Sequence, residues 1–505
     1  MKKKFGWLSA ILALMILIAA CGTNSGSDNT AEKASESNES GEVSEAPYEV
    51  VYAFPIFQSV PKDLNLVQDE INKISKAKIN VTVKLLPISI SAWTNQINLM
   101  MTSGEKLDML AHFDYSTQVS KGKLYPIGDI MEQYGKGIID ALGQDYYNAT
   151  KINGKSYGVP SIRDLAQDYG YIIRKDLVEK HNIDLSQVKT YEDYEKIFSV
   201  IKAKEPNMVG VTNMSGNSVL GTYSTRDSLG DDFGVLLNNG QTDFEIVNWF
   251  ATDEYAQQLK TIRKWYQAGY ILKDAAQNQE ATQAIIKAGK AAGNFSHMKP
   301  GFEAQESRGI GMKVVAVRTA PAVAKTSTVT NVMLGVSSNA EKPEKVLQFL
   351  NLMYTDKDIV NLFDWGIEGK HYVKMEGQDN MIKYPDGVDG DNVGYFGYGW
   401  MHGNQFLSQV FEGDDPEVFI KQAEFNKTAV KSKALGFTFN SEPVKTEVAA
   451  ATGVLQQFRR GLESGVLDVD KELPKFIAKL KDAGIDKIME EKQKQLDEWA
   501  KANGN

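Results

Sequence analysis

Hydrophobic positions between residues 49 and 111 switch repeatedly between two periods. The run Glu49 to Phe54 is rich in β-branched and aromatic residues and predicts a strand. Leu64, Val67, Ile71 and Ile74 then recur at three- and four-residue spacing, which predicts a helix. Ile79, Val81, Val83 and Leu85 alternate with Asn80, Thr82 and Lys84, a strand that Pro87 is expected to end. Trp93, Ile97 and Met100 mark a second helix, and Met109-Leu110-Ala111 a third strand. The order β-α-β-α-β predicts a parallel sheet with helices on both faces. Ligands of such sheets bind beyond the carboxyl ends of the strands. That places Phe54-Pro55 and His112-Phe113-Asp114-Tyr115 at the mouth of a site.

A second unit begins near Tyr169. Tyr169 to Arg174 reads as a strand, and Tyr191 to Ala203 as a helix through Tyr194, Ile197, Phe198 and Ile201. Ala256, Leu259, Ile262, Trp265 and Tyr266 form one apolar stripe, which puts Trp265, with Trp249, in the core. Met312 to Arg318 predicts a strand, and Pro343 to Tyr354 a helix with Val346, Leu347, Leu350 and Met353 inward. Near the end, Phe476, Ile477 and Leu480 precede Gly484, expected as a helix C-cap. Ile485, Ile488, Met489, Leu496 and Trp499 continue the helical spacing, and the chain has no internal repeat.

The amino terminus follows another pattern. Lys2, Lys3 and Lys4 precede an apolar run from Trp7 to Ala20, with small residues before Cys21, the form of a secretory signal peptide. Roughly 14 apolar residues are short of the ~20 that span a bilayer. From Gly22 to Ala46 the residues are mostly Ser, Asn, Glu, Gly, Thr and Ala, which predicts a solvated leash. About 460 residues follow, too many for one core. The chain is 42% apolar and 24% charged, as ordinary globular proteins are. Its 56 basic and 65 acidic residues give a net charge of −9, and the absence of a basic block argues against nucleic acid. The single cysteine excludes a disulfide framework and a thiolate metal site, so packing must supply stability.

Several phrases resemble known families. Leu17-Ile18-Ala19-Ala20-Cys21-Gly22 is similar to the bacterial lipoprotein box. That resemblance implies cleavage before Cys21, lipidation of Cys21, and a stable anchor on the extracellular face of the cell membrane. Asn153-Gly154-Lys155-Ser156-Tyr157-Gly158-Val159-Pro160 resembles a signature of extracellular solute-binding proteins of the maltose-binding type. Arg174-Lys175-Asp176-Leu177 leading to Thr190-Tyr191-Glu192-Asp193-Tyr194, and Gly335 to Glu344, resemble two further stretches of that family. Gly436 to Val444 and onward resembles the extra C-terminal region of a Gram-positive sugar-receptor subfamily.

The resemblance implies an α/β fold of the two-lobed, type II periplasmic-binding-protein class, each lobe a mainly parallel sheet flanked by helices. It places three hinge crossings near Leu165–Ile172, Thr319–Thr330 and Asp364–Lys370. The expected domains are a signal peptide (1–20), a lipidated leash (21–46), lobe 1 (47–168 plus 325–365), lobe 2 (169–324 plus 366–460) and C-terminal helices (461–505). It also implies a monomer without cofactor that closes on a solute and delivers it to the permease subunits of an ABC importer.

Neutral sugars are held by aromatic faces against C–H surfaces and by planar polar groups that pair with hydroxyls. The loop Gly394 to Gln405 offers both, with Tyr395, Phe396, Tyr398 and Trp400 among four glycines. Its leading candidate is Trp400, followed by His402 and Asn404, although the same rings equally suit a core. Asp114 and Tyr115 are candidates after a strand end, Arg163 and Asp164 beside the first crossing, and Trp365 and Glu368 near the third. The alternatives are a surface ion pair for Arg163 with Asp164 and a helix-end wedge for Trp365.

Catalytic motifs are missing. Gly154-Lys155-Ser156 lacks the upstream glycine of a phosphate loop, since Ala149 stands there. No Gly-x-Ser-x-Gly elbow or His-Glu-x-x-His pair occurs, and the histidines at 112, 181, 297, 371 and 402 share no ligand spacing. Asp386, Asp389 and Asp391 read as a polar turn rather than a calcium loop. The leading reading is therefore a lipid-anchored oligosaccharide receptor that is not an enzyme. The alternatives are a surface-tethered glycoside hydrolase with a carboxylate pair, a receptor for a non-sugar solute such as a peptide, and an adhesin or signalling receptor on the same fold.

Overall fold

The computed structural model describes residues 45–504 except Ser215 and Thr222. The predicted leader and Cys21, with nearly all of the leash, lie outside the described residues. Strand β1 (Tyr48–Ile56) is buried along almost its whole length because it has a neighbour on each edge and a helix on each face. Val50, Tyr52 and Phe54 share a core with Val67 and Ile71 of the helix Leu64–Ile79. Ala53 points the other way, to Trp93 and Ile97 of the helix Trp93–Ser103. The first helix stops at Asn80, whose left-handed backbone (φ 53°) closes the last turn on Lys76 O.

Strand β2 (Val81–Ser89) runs on through Pro87, which lies opposite Phe54 of β1. The sequence expectation that Pro87 ends it is thereby corrected. β2 is the edge of its sheet, where a residue without an N–H is tolerated. Strand β3 (Met109–His112) is parallel to β1 on its other side, and β4 (Gly158–Pro160) lies at the far edge.

The chain then enters β5 (Gln167–Arg174), the middle of a second sheet. Strands β6 (Gly293–Met298) and β7 (Val314–Ala324) flank it, joined by the helix Phe302–Ile310. That crossover makes β6 and β7 parallel to one another, while β5 between them is antiparallel to both. The expectation of a mainly parallel sheet in each lobe thus gives way here. Strand β8 (Met333–Val336) returns to the first sheet, antiparallel to β3 and β4, in the order β2-β1-β3-β8-β4. The α/β architecture on two sheets is as expected.

Strands β9 (Val373–Met375), β10 (Gln378–Lys383) and β11 (Val410–Phe411) form a small third sheet. Finally β12 (Val430–Lys431) pairs with β7. The segment after Trp365 was expected to pass to the second body. Instead Tyr395, Tyr398 and Met401 pack into the core of the first sheet, with Phe363 and Tyr52. Trp249 and Trp265 lie in the core around the second sheet, as expected. The C-terminal helices Lys445–Glu463, Val469–Asp482 and Ile485–Ala502 pack on that core through Phe458, Leu462, Phe476 and Ile488. No helix among the described residues is long and apolar enough to cross a membrane.

Candidate functional site

A cleft of about 310 Å³ opens where the carboxyl end of β3 faces the connection between β7 and β8. Its first wall is Phe113-Asp114-Tyr115-Ser116, immediately after β3, where strand ends of such sheets place ligands. The second wall is the turn that carries Thr326, Ser327, Thr330 and Asn331. Leu229-Gly230-Asp231 and the segment Phe437 to Ser441 complete it. Hydroxyls, one amide, two carboxylates and aromatic rings therefore converge on one space.

The first wall is rigid. Tyr115 is buried, donates its hydroxyl proton to Thr150 O at 2.7 Å and accepts from Tyr157 N at 3.0 Å. Burial pushes its phenol well above the usual range. The His112 ring stacks on Tyr115 at 5.8 Å, and burial lowers it to about 4, so it is a neutral ring at neutral pH. Asp114 accepts from the Gln118 side chain at 2.7 Å.

The Leu229 loop is held by buried cations. Lys325, just before the turn, donates to Arg226 O at 2.6 Å, and burial lowers its ammonium to about 8. Arg226 pairs with Asp232 at 2.9 Å. Burial alone would raise that carboxyl, but Arg226 and Arg459 outweigh it and hold it at about 2.

Beside the cleft, Phe113 stacks on Trp400 at 6.2 Å, and Phe57 meets the same indole at 5.9 Å. The Arg163 guanidinium lies 5.6 Å from the Trp400 ring. Arg163 also bonds Asp164, which is buried and reaches Lys299 at 3.2 Å. Burial opposes ionisation of Asp164, yet Lys299 and Arg163 keep its carboxyl below the usual range. Asp114, Tyr115, Arg163, Asp164 and Trp400 thus lie at the cleft or on the shelf adjoining it.

Other candidates fall away from it. His402 is in the core, hydrogen-bonded to the Tyr52 hydroxyl at 2.8 Å and stacked on Phe363 at 4.9 Å. Asn404 caps a short turn by accepting from Phe406 N at 3.1 Å. Tyr395 is buried and donates to Phe363 O at 3.0 Å. Tyr398 accepts from Phe57 N at 3.1 Å, so it supports the shelf from below. Trp365 donates to Ser408 Oγ at 2.8 Å and stacks on Phe411, the wedge that the sequence also allowed. Glu368 forms a half-exposed ion pair with Lys374. Tyr395, Tyr398, His402 and Asn404 were chosen for a loop of rings among glycines, and Trp365 and Glu368 for an expected crossing, whereas Phe363, Tyr395, Tyr398 and Met401 on either side of that point share one core.

Sequence reasoning passed over the Leu229 loop and the Phe437 segment. One signal was available: Ile488, Lys492 and Leu496 share one buried helix face, so a lysine occupies an apolar stripe.

The profile of the bacterial extracellular solute-binding protein family matches residues 63–359, and that of a domain of unknown function (DUF3502) matches residues 433–501. A carbohydrate ABC transporter substrate-binding protein of Streptococcus pneumoniae serotype 4 is 27% identical over 507 residues, 99% of each chain. Lipoprotein LipO of Bacillus subtilis is 26% identical over 401 residues, 75% of each. The crystal structure of the N-glycan transport solute binding protein NgtS from Streptococcus pneumoniae superposes with a TM-score of 0.80 at 26% identity, covering 90% of this chain and 99% of that one. The same protein in complex with Man5GlcNAc superposes at 0.69 with the same coverage. A family profile laid over most of both sheets and over three of the four segments that line the cleft, with whole-chain relatives, makes this chain a member of the bacterial extracellular solute-binding protein family.

Proposed function

We propose that the protein is a lipid-anchored receptor that captures an oligosaccharide in the Phe113–Asn331 cleft and delivers it to an ABC importer, without chemistry of its own. The observation that carries this reading is the cleft lining: serine and threonine hydroxyls, Asn331 and two carboxylates set among the rings of Phe113 and Phe439. Rings cover the C–H faces of a sugar, and the polar groups pair with its hydroxyls. The relatives support the class of solute, being a carbohydrate substrate-binding protein and an N-glycan binder.

In this reading the lobes follow the packing. The first comprises residues 47–166 and 325–429, and the second comprises 167–324 and 430–505, with crossings between β4 and β5, between β7 and β8, and just before β12. Cys21 would carry the lipid and residues 22–46 would be the tether at the extracellular face. A lipoprotein among the relatives supports this placement. The permease subunits are the expected partners, and the receptor acts as a monomer.

The test is a thermal-shift panel of Man5GlcNAc, maltooligosaccharides and short peptides. A solute bound only by the folded state raises stability by mass action. Saturable stabilisation by a glycan is expected, and stabilisation by peptides alone would overturn the solute class.

A further inference from the structure

Residues 433–501 line the cleft from Phe437 to Ser441 and end behind it, at Leu496. Gly436 N donates to Thr326 Oγ1 at 2.7 Å, tying the segment to the second wall. Phe437, Thr438, Phe439 and Ser441 then run along the cleft. Behind them Phe437 packs with Leu229, Leu236, Ile246 and Leu496, so the Leu229 loop shares a small core with the last helix.

Cations from the same segment fix that loop. The Lys492 side chain is fully buried and donates to Asp231 Oδ1 at 2.6 Å and to Gly234 O at 3.0 Å. Arg459 pairs with Asp232 at 2.8 Å and with Glu463 at 3.0 Å. Two residues before Asp231, Leu229 has φ +52°, a left-handed conformation that a leucine rarely adopts. Strained backbone persists only where its surroundings over-determine it, and it gathers at ligand clamps. A buried ion pair adds little stability over an apolar pair of the same shape, and its best-attested use is to fix geometry. Here the geometry fixed is that of a cleft wall.

We propose that residues 433–501 set the specificity of the receptor: Phe439 and Ser441 of that segment form, with Asp231 of the Leu229 loop, a subsite for one sugar unit, and Lys492 is a positioning residue that holds Asp231 there. The proposal rests on the glycan-receptor reading. The ring offers a face to a pyranose, while the hydroxyl and carboxylate accept from its hydroxyl groups.

Calorimetry on the whole protein with Man1GlcNAc and Man5GlcNAc tests it. Ser441→Ala, Phe439→Leu and Asp231→Asn should each change the ratio of the two affinities, with a loss of about tenfold for Asp231→Asn, the scale of a charged hydrogen bond. Lys492→Met should shift the same ratio, and the double variant Lys492→Met/Asp231→Asn should bind no more weakly than Asp231→Asn alone. If Lys492→Met does not fold, Lys492→Arg, which keeps the charge but displaces Asp231, takes its place in the cycle. Additive losses would overturn the positioning role. Wild-type binding that is unchanged by the three cleft variants would overturn the subsite alone. A wild type that binds neither of these glycans nor any maltooligosaccharide would overturn the receptor reading and this proposal together, whereas one that binds a maltooligosaccharide alone would keep the reading and move the variants' affinity ratio to that sugar.

Discussion

Asp364 is a carboxylic acid with little to keep it ionised. It is buried beneath the 394–403 loop, and its Oδ1 meets no hydrogen-bond partner among the described residues. Burial pushes it up to about 7 from the ordinary 3.8, against a weaker opposing bond from Ser408. Between those two values the folded state holds a proton that the unfolded chain has released. Its contribution to stability is therefore present at low pH and is lost as pH rises from about 4 to about 7, by up to about 4 kcal/mol. Asp364→Asn should abolish this loss. Denaturant midpoints at about pH 5 and about pH 8 should differ more in the wild type than in the variant, and equal differences would show a hydrated carboxyl. A second residue-scale prediction concerns the shelf. Phe113 lines the cleft and Trp400 backs it. Phe113→Ala is therefore expected to weaken Man5GlcNAc binding by about 1–3 kcal/mol, the burial of one large side chain. Trp400→Ala should cost about 0.5–1.5 kcal/mol, the value of an aromatic pair. The reverse ranking in calorimetry would move the site onto the indole.

The 394–405 loop shows, at the scale of an element, how far sequence reading reached. Aromatic residues among glycines suit a sugar shelf, but they also suit a loop pressed against a helix end, and the second need governs most of this one. A Cβ at Gly397 would stand 2.0 Å from Phe363 O, and one at Gly399 would stand 2.6 Å from the Asp364 carboxylate. The glycines admit the helix Lys357–Trp365, not a ligand. Gly397→Ala should destabilise the protein by about 1–3 kcal/mol as overpacking does, read as a lower urea midpoint with unchanged m-value. An unchanged midpoint would show the loop able to lift off. Local patterns were legible wherever one period dominated: Leu64, Val67 and Ile71 face inward, as do Trp93, Ile97 and Met100. Pairing direction in the second sheet was not legible, because it depends on β5 entering between two strands contributed more than a hundred residues later. Nor was the cleft, whose walls come from four distant segments and whose sequence-chosen members Asp114 and Tyr115 belong to only one of them.

For the whole molecule, the question is what moves. NgtS superposes on this chain with a TM-score of 0.80 in one crystal structure and of 0.69 with Man5GlcNAc bound, and the proposed hinges would give this chain an open and a closed state. A solute shifts such an equilibrium only by its differential affinity for the two states, and a solute touching one wall shifts nothing. The cleft meets the requirement, because Phe113 to Ser116 follow β3 of the first sheet while Leu229 to Asp231 pack with the C-terminal helices. Moving from 1:99 to 99:1 needs roughly 10⁴-fold tighter binding to the closed state, within reach only if both walls hold the sugar. Small-angle scattering on the soluble chain should show a smaller radius of gyration with saturating Man5GlcNAc than without it. Asp231→Asn, which weakens one wall alone, should require more glycan to reach the same endpoint rather than a different endpoint. A radius that does not change at saturation would mean that the crossings between β4 and β5, between β7 and β8, and before β12 do not act as hinges, and that the solute is held by a preformed site.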